Sequence, residues 1–358
     1  MLYRKWWNEV PEMQLDPNYK PQTKVSVIIP ARDEEDNIGN LLDDIFAQKY
    51  PRHLIEVIVI DDDSRDKTSS IAMNHGDAYV YFLPDFLPPG ETNSYKKRAI
   101  ELGVYKSTGE LVISTDADCR MCEYWLLSMV QHYESQNKVM LAGPVAYHKS
   151  KSILGIFQEL DFMSMQGITG AILGSQKGAM CNGANLAYTV DSFDAVGGFI
   201  DADEVASGDD MMLMHKVQQH FPKGTAYVKT KDAIVYTDGA PTLKAFVNQR
   251  IRWASKSSSL ADLRIIMVLV FVFLVNFMLL YLLIKGVYNS EYFLGALGLY
   301  VLKASAETIF LWPVAGFFDR RSILWWLYPL QLCHVLYMIF VGILGQLKHY
   351  HWKGRRVQ

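Results

Sequence analysis

At 358 residues the chain has room for one large α/β domain and an appendage. A net charge of −3 leaves no basic footprint, which argues against a nucleic acid partner. Half of the residues are hydrophobic, and they concentrate from Ile265 onward, whereas residues 1–250 read as an ordinary soluble sequence.

The N-terminal run Met1-Leu2-Tyr3-Arg4-Lys5-Trp6-Trp7 has no apolar stretch behind its charges, so no signal peptide is expected. Lys24–Ile29 (KVSVII) has the composition of a buried strand, and Asn37–Phe46 follows with helical periodicity. Glu56–Ile60 is a second strand, Ala78–Phe82 a third and Glu110–Ser114 a fourth, with a helix at Tyr95–Lys106 between the last two. Alternation of this kind marks a mostly parallel sheet. Three of these strands run into polar clusters: Pro30-Ala31-Arg32-Asp33-Glu34, Asp61-Asp62-Asp63 and Thr115-Asp116-Ala117-Asp118. In open α/β sheets ligands bind beyond the carboxyl ends of the strands, so one edge is expected to hold the site. Four cysteines without regular spacing suit a reducing compartment, and the lone pair Cys119 and Cys122 is read as ordinary thiols.

Ile265–Ile284 is a charge-free run of membrane-crossing length. Tyr292–Phe318 is long enough too, but holds Lys303 and Glu307 at i, i+4 spacing. They pair within the helix, face a polar cavity, or mark a re-entrant segment. Ile323–Leu347 is the third apolar stretch, with Trp325 and Trp326 suited to an interface belt. Three crossings would put the basic tail (Lys348, Lys353, Arg355, Arg356) on the outer side. Two would return it inside and leave Arg320 and Arg321 outside.

Asp116 and Asp118, one residue apart at a strand end, can both approach one hard cation such as Mg²⁺ or Mn²⁺, which favours a few carboxylates plus phosphate oxygens. Such a cation would stabilise the leaving diphosphate of a nucleotide sugar. Asp62 offers an acceptor pair for an imide N–H, or else caps the next helix, a task open also to Asp63 or Ser64. Lys96 reaches a base or phosphate, or is a solvated helix lysine. Asp209 and Asp210 open a helical pattern, one as a cap and the other as a general base. Arg252 of Gln249-Arg250-Ile251-Arg252-Trp253 can neutralise a diphosphate and Trp253 can stack on a sugar, or both anchor the chain at an interface. A lipid acceptor would enter between the Leu243–Trp253 stretch and the apolar face of Ile153–Leu173, unless that face is ordinary core.

The ordered blocks VIIPARDEEDNI, IDDDSRDKT, Lys96-x-x-Ala99, STDADC, GANLAYTVDSFDAVGGF, SGDDMMLM and QRIRW, spanning residues 24–255, resemble the family 2 inverting glycosyltransferases of the GT-A fold. The resemblance implies a Rossmann-like nucleotide-binding domain and a metal held by Asp116 and Asp118. It places Pro30, Arg32, Glu34, Asp62, Lys96 and Asp116 at the donor, and Gln249, Arg252 and Trp253 by the diphosphate and acceptor. Asp210 falls on the base of the motif usually written E-D, and Asp209 where the Glu stands. Two further departures are Asp33, where the family has Asn, and Asp63, where Gly is common.

The expected organisation is an N-terminal segment (1–23), a GT-A catalytic domain (24–242), an amphipathic interfacial segment (243–264), a transmembrane region of two to three spans (265–347) and a basic tail (348–358). The expected activity is metal-dependent transfer of a hexosyl or N-acetylhexosaminyl group from a nucleotide sugar, UDP-linked by the Asp62 reading. The acceptor would be a lipid or lipid-linked molecule at the cytoplasmic membrane face. The alternative is a processive polysaccharide synthase, for which at most three spans give little channel material. Sugar, acceptor, preferred metal and oligomeric state are not fixed by the sequence.

Overall fold

In a computed structural model that describes residues 2–87, 94–200, 209–257, 263–345, 350–352 and 355–357, the four expected strands form side by side. They are β1 (Val25–Ala31), β2 (Ile55–Asp61), β3 (Ala78–Phe82) and β4 (Leu111–Ser114). Six shorter strands follow: β5 (Arg120–Met121), β6 (Met140–Ala142), β7 (Val145–Tyr147), β8 (Leu186–Thr189), β9 (Thr225–Tyr227) and β10 (Val235–Thr237). The main sheet runs β3-β2-β1-β4-β8-β6-β9, and β5-β10-β7 form a small second sheet. β1 lies parallel to both β2 and β4, while β8 is antiparallel to β4 and β6. Every residue of β1 except Pro30 is buried, as a central strand covered on both faces requires. Pro30 has no N–H to give, and it lies beyond the β1–β4 register pairs, which end at Ile28 with Ser114. At that point the two strands part, and chain order reverses there from β3-β2-β1 to β4, the switch point where an α/β sheet opens a crevice.

The chain divides into two units. The sheet domain comprises 9–148 and 169–238; the helical unit comprises 1–8, 149–168 and 239–358. The helices in chain order are α1 (Leu2–Glu9), α2 (Ile38–Phe46), α3 (Thr68–Asn74), α4 (Tyr95–Lys106), α5 (Trp125–Gln136), α6 (Ile153–Ser175), α7 (Val190–Ala195), α8 (Asp209–His220), α9 (Leu243–Ser257), α10 (Leu263–Gly286), α11 (Ser290–Phe317) and α12 (Leu327–Leu344). In the sheet domain α4 packs closely on the central strands: Ala99 and Leu102 join Ile58 and Ile60 in one cluster, and a Cβ on Gly103 would come within 2.5 Å of Ile28. The residues before β1 are clasped by Glu134 of α5, whose carboxylate accepts from Tyr19 Oη, Gln22 N and Thr23 N and Oγ1.

His132 on α5 is 1% exposed and held as a neutral ring. Gln136 Nε2 donates to its Nδ1, so its Nε2 donates to Thr230 Oγ1, which donates in turn to Met13 O. Burial pushes the imidazole from 6.5 down to about 4. The unfolded chain therefore takes up this proton first. The contribution is complete above about pH 6.5 and disappears as pH falls towards 4, at a cost on the order of 3 kcal/mol. Thermal midpoints of the solubilised chain should fall over that window, and His132→Gln should flatten the fall.

In the helical unit three segments are long and apolar enough to cross a membrane: Ile266–Gly286, Ser290–Phe317 and Arg321–Leu344. The last begins as a 3-10 helix over Arg321–Trp326 before α12. Trp7 of α1 packs edge-on to Phe317. Lys303 and Glu307 do pair, at 2.6 Å, and α12 completes the cluster. Lys303 Nζ also donates to Gln331 Oε1 (2.8 Å) and His334 Nδ1 (3.2 Å), and Gln331 Nε2 donates to Glu307 Oε2 (2.7 Å). The gap expected between α6 and α9 for a lipid is filled with rings, Phe157 against Phe246 and Phe162 against Trp253. That face is packed core in this unit. Two short strands, β11 (Tyr350–Trp352) and β12 (Arg355–Val357), pair as a hairpin.

Candidate active site

The carboxyl ends of β1, β2 and β4 deliver their polar clusters to adjacent positions. In the β2 cluster the three aspartates take different tasks. Asp61 accepts from Ser64 N (2.8 Å) and Ser69 Oγ (2.6 Å) and shapes the turn. Asp63 has a left-handed backbone, φ 56°, and so does Asp33, φ 50°. These are the two positions where the resemblance leads one to expect Gly and Asn, the residues that enter that region at least cost, and aspartate is next in tolerance. Asp62 is buried, with the guanidinium of Arg32 donating to its carbonyl and lying 3.8 Å from its carboxylate. None of Asp62, Asp63 or Ser64 is the N-cap of α3, which is Lys67, and Asp66 Oδ1 accepts from Thr68 N at 3.0 Å. Glu34 is fixed at its own backbone by Thr68 Oγ1 (2.7 Å) and accepts from Asn37 Nδ2 (2.8 Å).

After β4, Asp116 Oδ1 accepts from Lys96 Nζ at 2.5 Å, so the α4 lysine points into the site. Asp118 Oδ2 accepts from Thr237 Oγ1 at 3.3 Å, which ties the acidic loop to the end of β10. Asp118 is exposed by surface area, yet protein lies around it on most sides, and for its charge the surrounding protein decides. That burial, and then the negative charges of Asp116 and Glu34, push its carboxyl up to about 6, against the opposing pull of Lys96 and Thr237.

Asp210, in the first turn of α8, comes to the same place. Its Oδ2 accepts from Gly183 N (3.0 Å) and its Oδ1 from Met211 N (2.9 Å). Gly183 is in turn held to β4, since Ser114 Oγ donates to its carbonyl at 3.0 Å. A Cβ built on Gly183 would stand 3.8 Å from both Asp210 Oδ2 and Lys96 Nζ, so carboxylate and ammonium converge on this one glycine. Gly183 opens the GANLAYTVDSFDAVGGF block, which marks its segment but gives it no role, because it acts through its backbone; Thr237, which arrives from the second sheet, carries no signal in the sequence. Ser207 and Gly208 lie outside the described residues, as does the side chain of Asp209.

Gln249, Arg252 and Trp253 lie half-buried on α9, in the helical unit. The residue between them, Arg250, is 2% exposed and contacts Asp161 Oδ2 at 2.8 Å. Its guanidinium lies 4.1 Å from the Trp253 ring centre and 5.0 Å from that of Phe246. A cation-bearing face of Trp253 is thereby already occupied.

Among the described residues no three His, Cys, Asp or Glu side chains form a metal cluster. Asp116 and Asp118 still suit a hard cation, because two carboxylates leave room for phosphate oxygens to complete its shell. The Lys96 ammonium on Asp116, with Glu34 and Asp118 close by, marks a cluster of carboxylates that draws positive charge.

Residues 26–197 match glycosyl transferase family 2. The sheet domain has the GT-A fold, and a mannosyltransferase from Pyrobaculum calidifontis, solved with GDP-Man and Mn²⁺, aligns to it and beyond. That alignment covers 96% of this chain and 92% of the other at 21% identity, with a TM-score of 0.55. YdaM of Bacillus subtilis (strain 168), named a probable glycosyltransferase, is 27% identical over 241 residues, 66% of this chain and 56% of that protein. A 4,4'-diaponeurosporenoate glycosyltransferase of Staphylococcus haemolyticus (strain JCSC1435) is 36% identical over 125 residues, 35% of this chain and 32% of that protein. The chain spans about half the length of the first of these relatives and a third of the second.

Proposed function

We propose that the chain transfers a sugar, with inversion, from a nucleotide-sugar donor to a lipid or lipid-linked acceptor at the cytoplasmic membrane face. The observation that carries this reading is the convergence of Asp116, Lys96 and Asp210 about Gly183 at the strand ends of a GT-A domain. Asp116 and Asp118 would hold a divalent cation, which supplies Lewis-acid stabilisation of the departing diphosphate. Mn²⁺ in the Pyrobaculum mannosyltransferase supports a cation of this class. Lys96 adds positive charge beside the same oxygens. Asp210 receives the acceptor hydroxyl's proton, its carboxylate being held at the strand ends by the N–H groups of Gly183 and Met211. The three apolar segments, and a relative named for glycosylating 4,4'-diaponeurosporenoate, favour an acceptor with lipid character.

Membranes holding the chain should move label from one of UDP-Glc, UDP-GlcNAc or GDP-Man into an organic-solvent extract. Label found only in a long water-soluble polymer would replace this reading with the processive one. Asp62, buried at the strand end, would accept from the imide of uracil, so UDP should bind far more tightly than GDP by calorimetry. Equal affinities would remove Asp62 from base recognition.

A further inference from the structure

We propose that Arg321–Leu344 is a re-entrant hairpin lying in the membrane leaflet next to α9, and that the tail after Gly345 emerges on the α9 side. The inference rests on the helical unit being embedded in a membrane and is independent of the transfer chemistry.

α10 leaves from α9 and crosses. Its 21 residues from Ile266 to Gly286 span about 31 Å, the thickness of a hydrocarbon core. α11 returns antiparallel to it: Gly286 lies against Phe293, Gly295 against Leu282, and Leu279 clusters with Ala296. At 28 residues, or about 42 Å, α11 is longer than one crossing needs, and its end is fixed on the side it returns to. Val314 packs on Gly167 of α6, and Arg320 pairs with the buried Glu159 of α6 at 2.5 Å. That part of α6 is bound to α9 through Asp161 with Arg250 and Phe157 with Phe246. Arg320 therefore sits on the α9 side.

The exit lies on the same side. A Cβ on Gly345, the residue after α12, would meet Ala254 of α9 at 2.7 Å, and β11 lies against α9. Between entry and exit α12 runs antiparallel to α10, with Val335 at Leu279 and Gly342 at Phe273. A segment that enters and leaves by one face makes no net crossing. The chain turns out of α11 through Asp319, φ 54°, and the non-helical Arg320, and Pro329 falls in the first turn of α12, where a missing N–H costs little. Irregular backbone at membrane depth survives where protein covers it, and here Tyr300 Oη donates to the Tyr328 carbonyl. The lipid is met by Leu332, Leu336, Phe340 and Ile343, an exposed stripe at helical spacing. With this path Arg320, Arg321 and the basic tail share one side, in accord with the positive-inside tendency, and the turn on the other side has one basic neighbour, Lys285 in the last turn of α10.

The test uses the full chain in sealed vesicles, with the four native cysteines replaced and one cysteine introduced as Lys151→Cys, Asn289→Cys or Gln358→Cys. A membrane-impermeant maleimide should label Lys151→Cys and Gln358→Cys from one face and Asn289→Cys from the other. Labelling of Gln358→Cys from the Asn289 face would establish a third crossing and overturn the proposal. If the cysteine replacements prevent folding, a C-terminal epitope on the native chain gives the same answer by protease protection. Alkaline carbonate extraction reports separately on membrane embedding: release of the chain would overturn the premise, and retention leaves the labelling result to decide.

Discussion

Turnover should disappear in Asp118→Asn, and EDTA should abolish it reversibly in the unaltered chain. Removing the carboxylate takes away half of the protein's hold on the cation, in a loop where Asp116 is already engaged by Lys96. A cation at a leaving diphosphate supplies several kcal/mol of transition-state stabilisation, about 10³-fold or more in rate. Asparagine preserves the shape and the Thr237 contact at 3.3 Å, so folding should be unaffected. Full activity in excess chelator, with no gain from added Mn²⁺ or Mg²⁺, would show that Lys96 and its neighbours carry the charge alone.

Asp210→Asn should lower turnover by ~10² to 10⁴ while leaving donor affinity nearly unchanged, since it removes the proton acceptor and little else. The change also replaces one accepting oxygen by an NH₂ group facing a backbone N–H, at Gly183 or Met211. The thermal midpoint therefore has to be measured beside the rate: a fall in stability without the kinetic loss would leave Asp210 as a helix cap. Asp209→Asn should do less harm. Neighbouring residues at a helix start point about 100° apart, and Asp210 is the one turned to Gly183. A dead Asp209→Asn beside an active Asp210→Asn would exchange the two roles, and activity in both would remove the carboxylate base.

The positions of the strands were readable because buried parallel strands announce themselves as β-branched runs, and the acidic residues at their ends mark the crevice. The Asp33 and Asp63 departures looked like losses of detail in the sequence; their left-handed backbones show what Asn and Gly are there for. Gly183 stands at the head of a motif block, but its role was not readable, because it contributes an N–H and the space of a missing side chain, and residue type alone announces neither. Arg250 was overlooked between Gln249 and Arg252, although it is the buried arginine of the QRIRW stretch. The partners of Lys303 could not be named from the i, i+4 spacing, because Gln331 and His334 come from a different segment. Membrane path is likewise a property of tertiary contacts: length and hydropathy give the same reading for a crossing helix and for a hairpin that turns back.

The Lys303–Glu307–Gln331–His334 cluster has a consequence for how the chain is made. During synthesis α11 emerges before α12, and alone it would bring a lysine and a glutamate into hydrocarbon with only each other as partners. At insertion costs of about 2.5 to 3.5 kcal/mol for such a side chain near a helix centre, that is an unattractive resting state. Release into lipid becomes favourable once Gln331 and His334 are available to engage Lys303 and Glu307. The second half of the membrane region is therefore expected to integrate as one package, α11 waiting at the insertion machinery for the hairpin that satisfies it, and in a nascent chain cut after Phe317 α11 should stay cross-linkable to that machinery although α10 already holds the chain in the membrane.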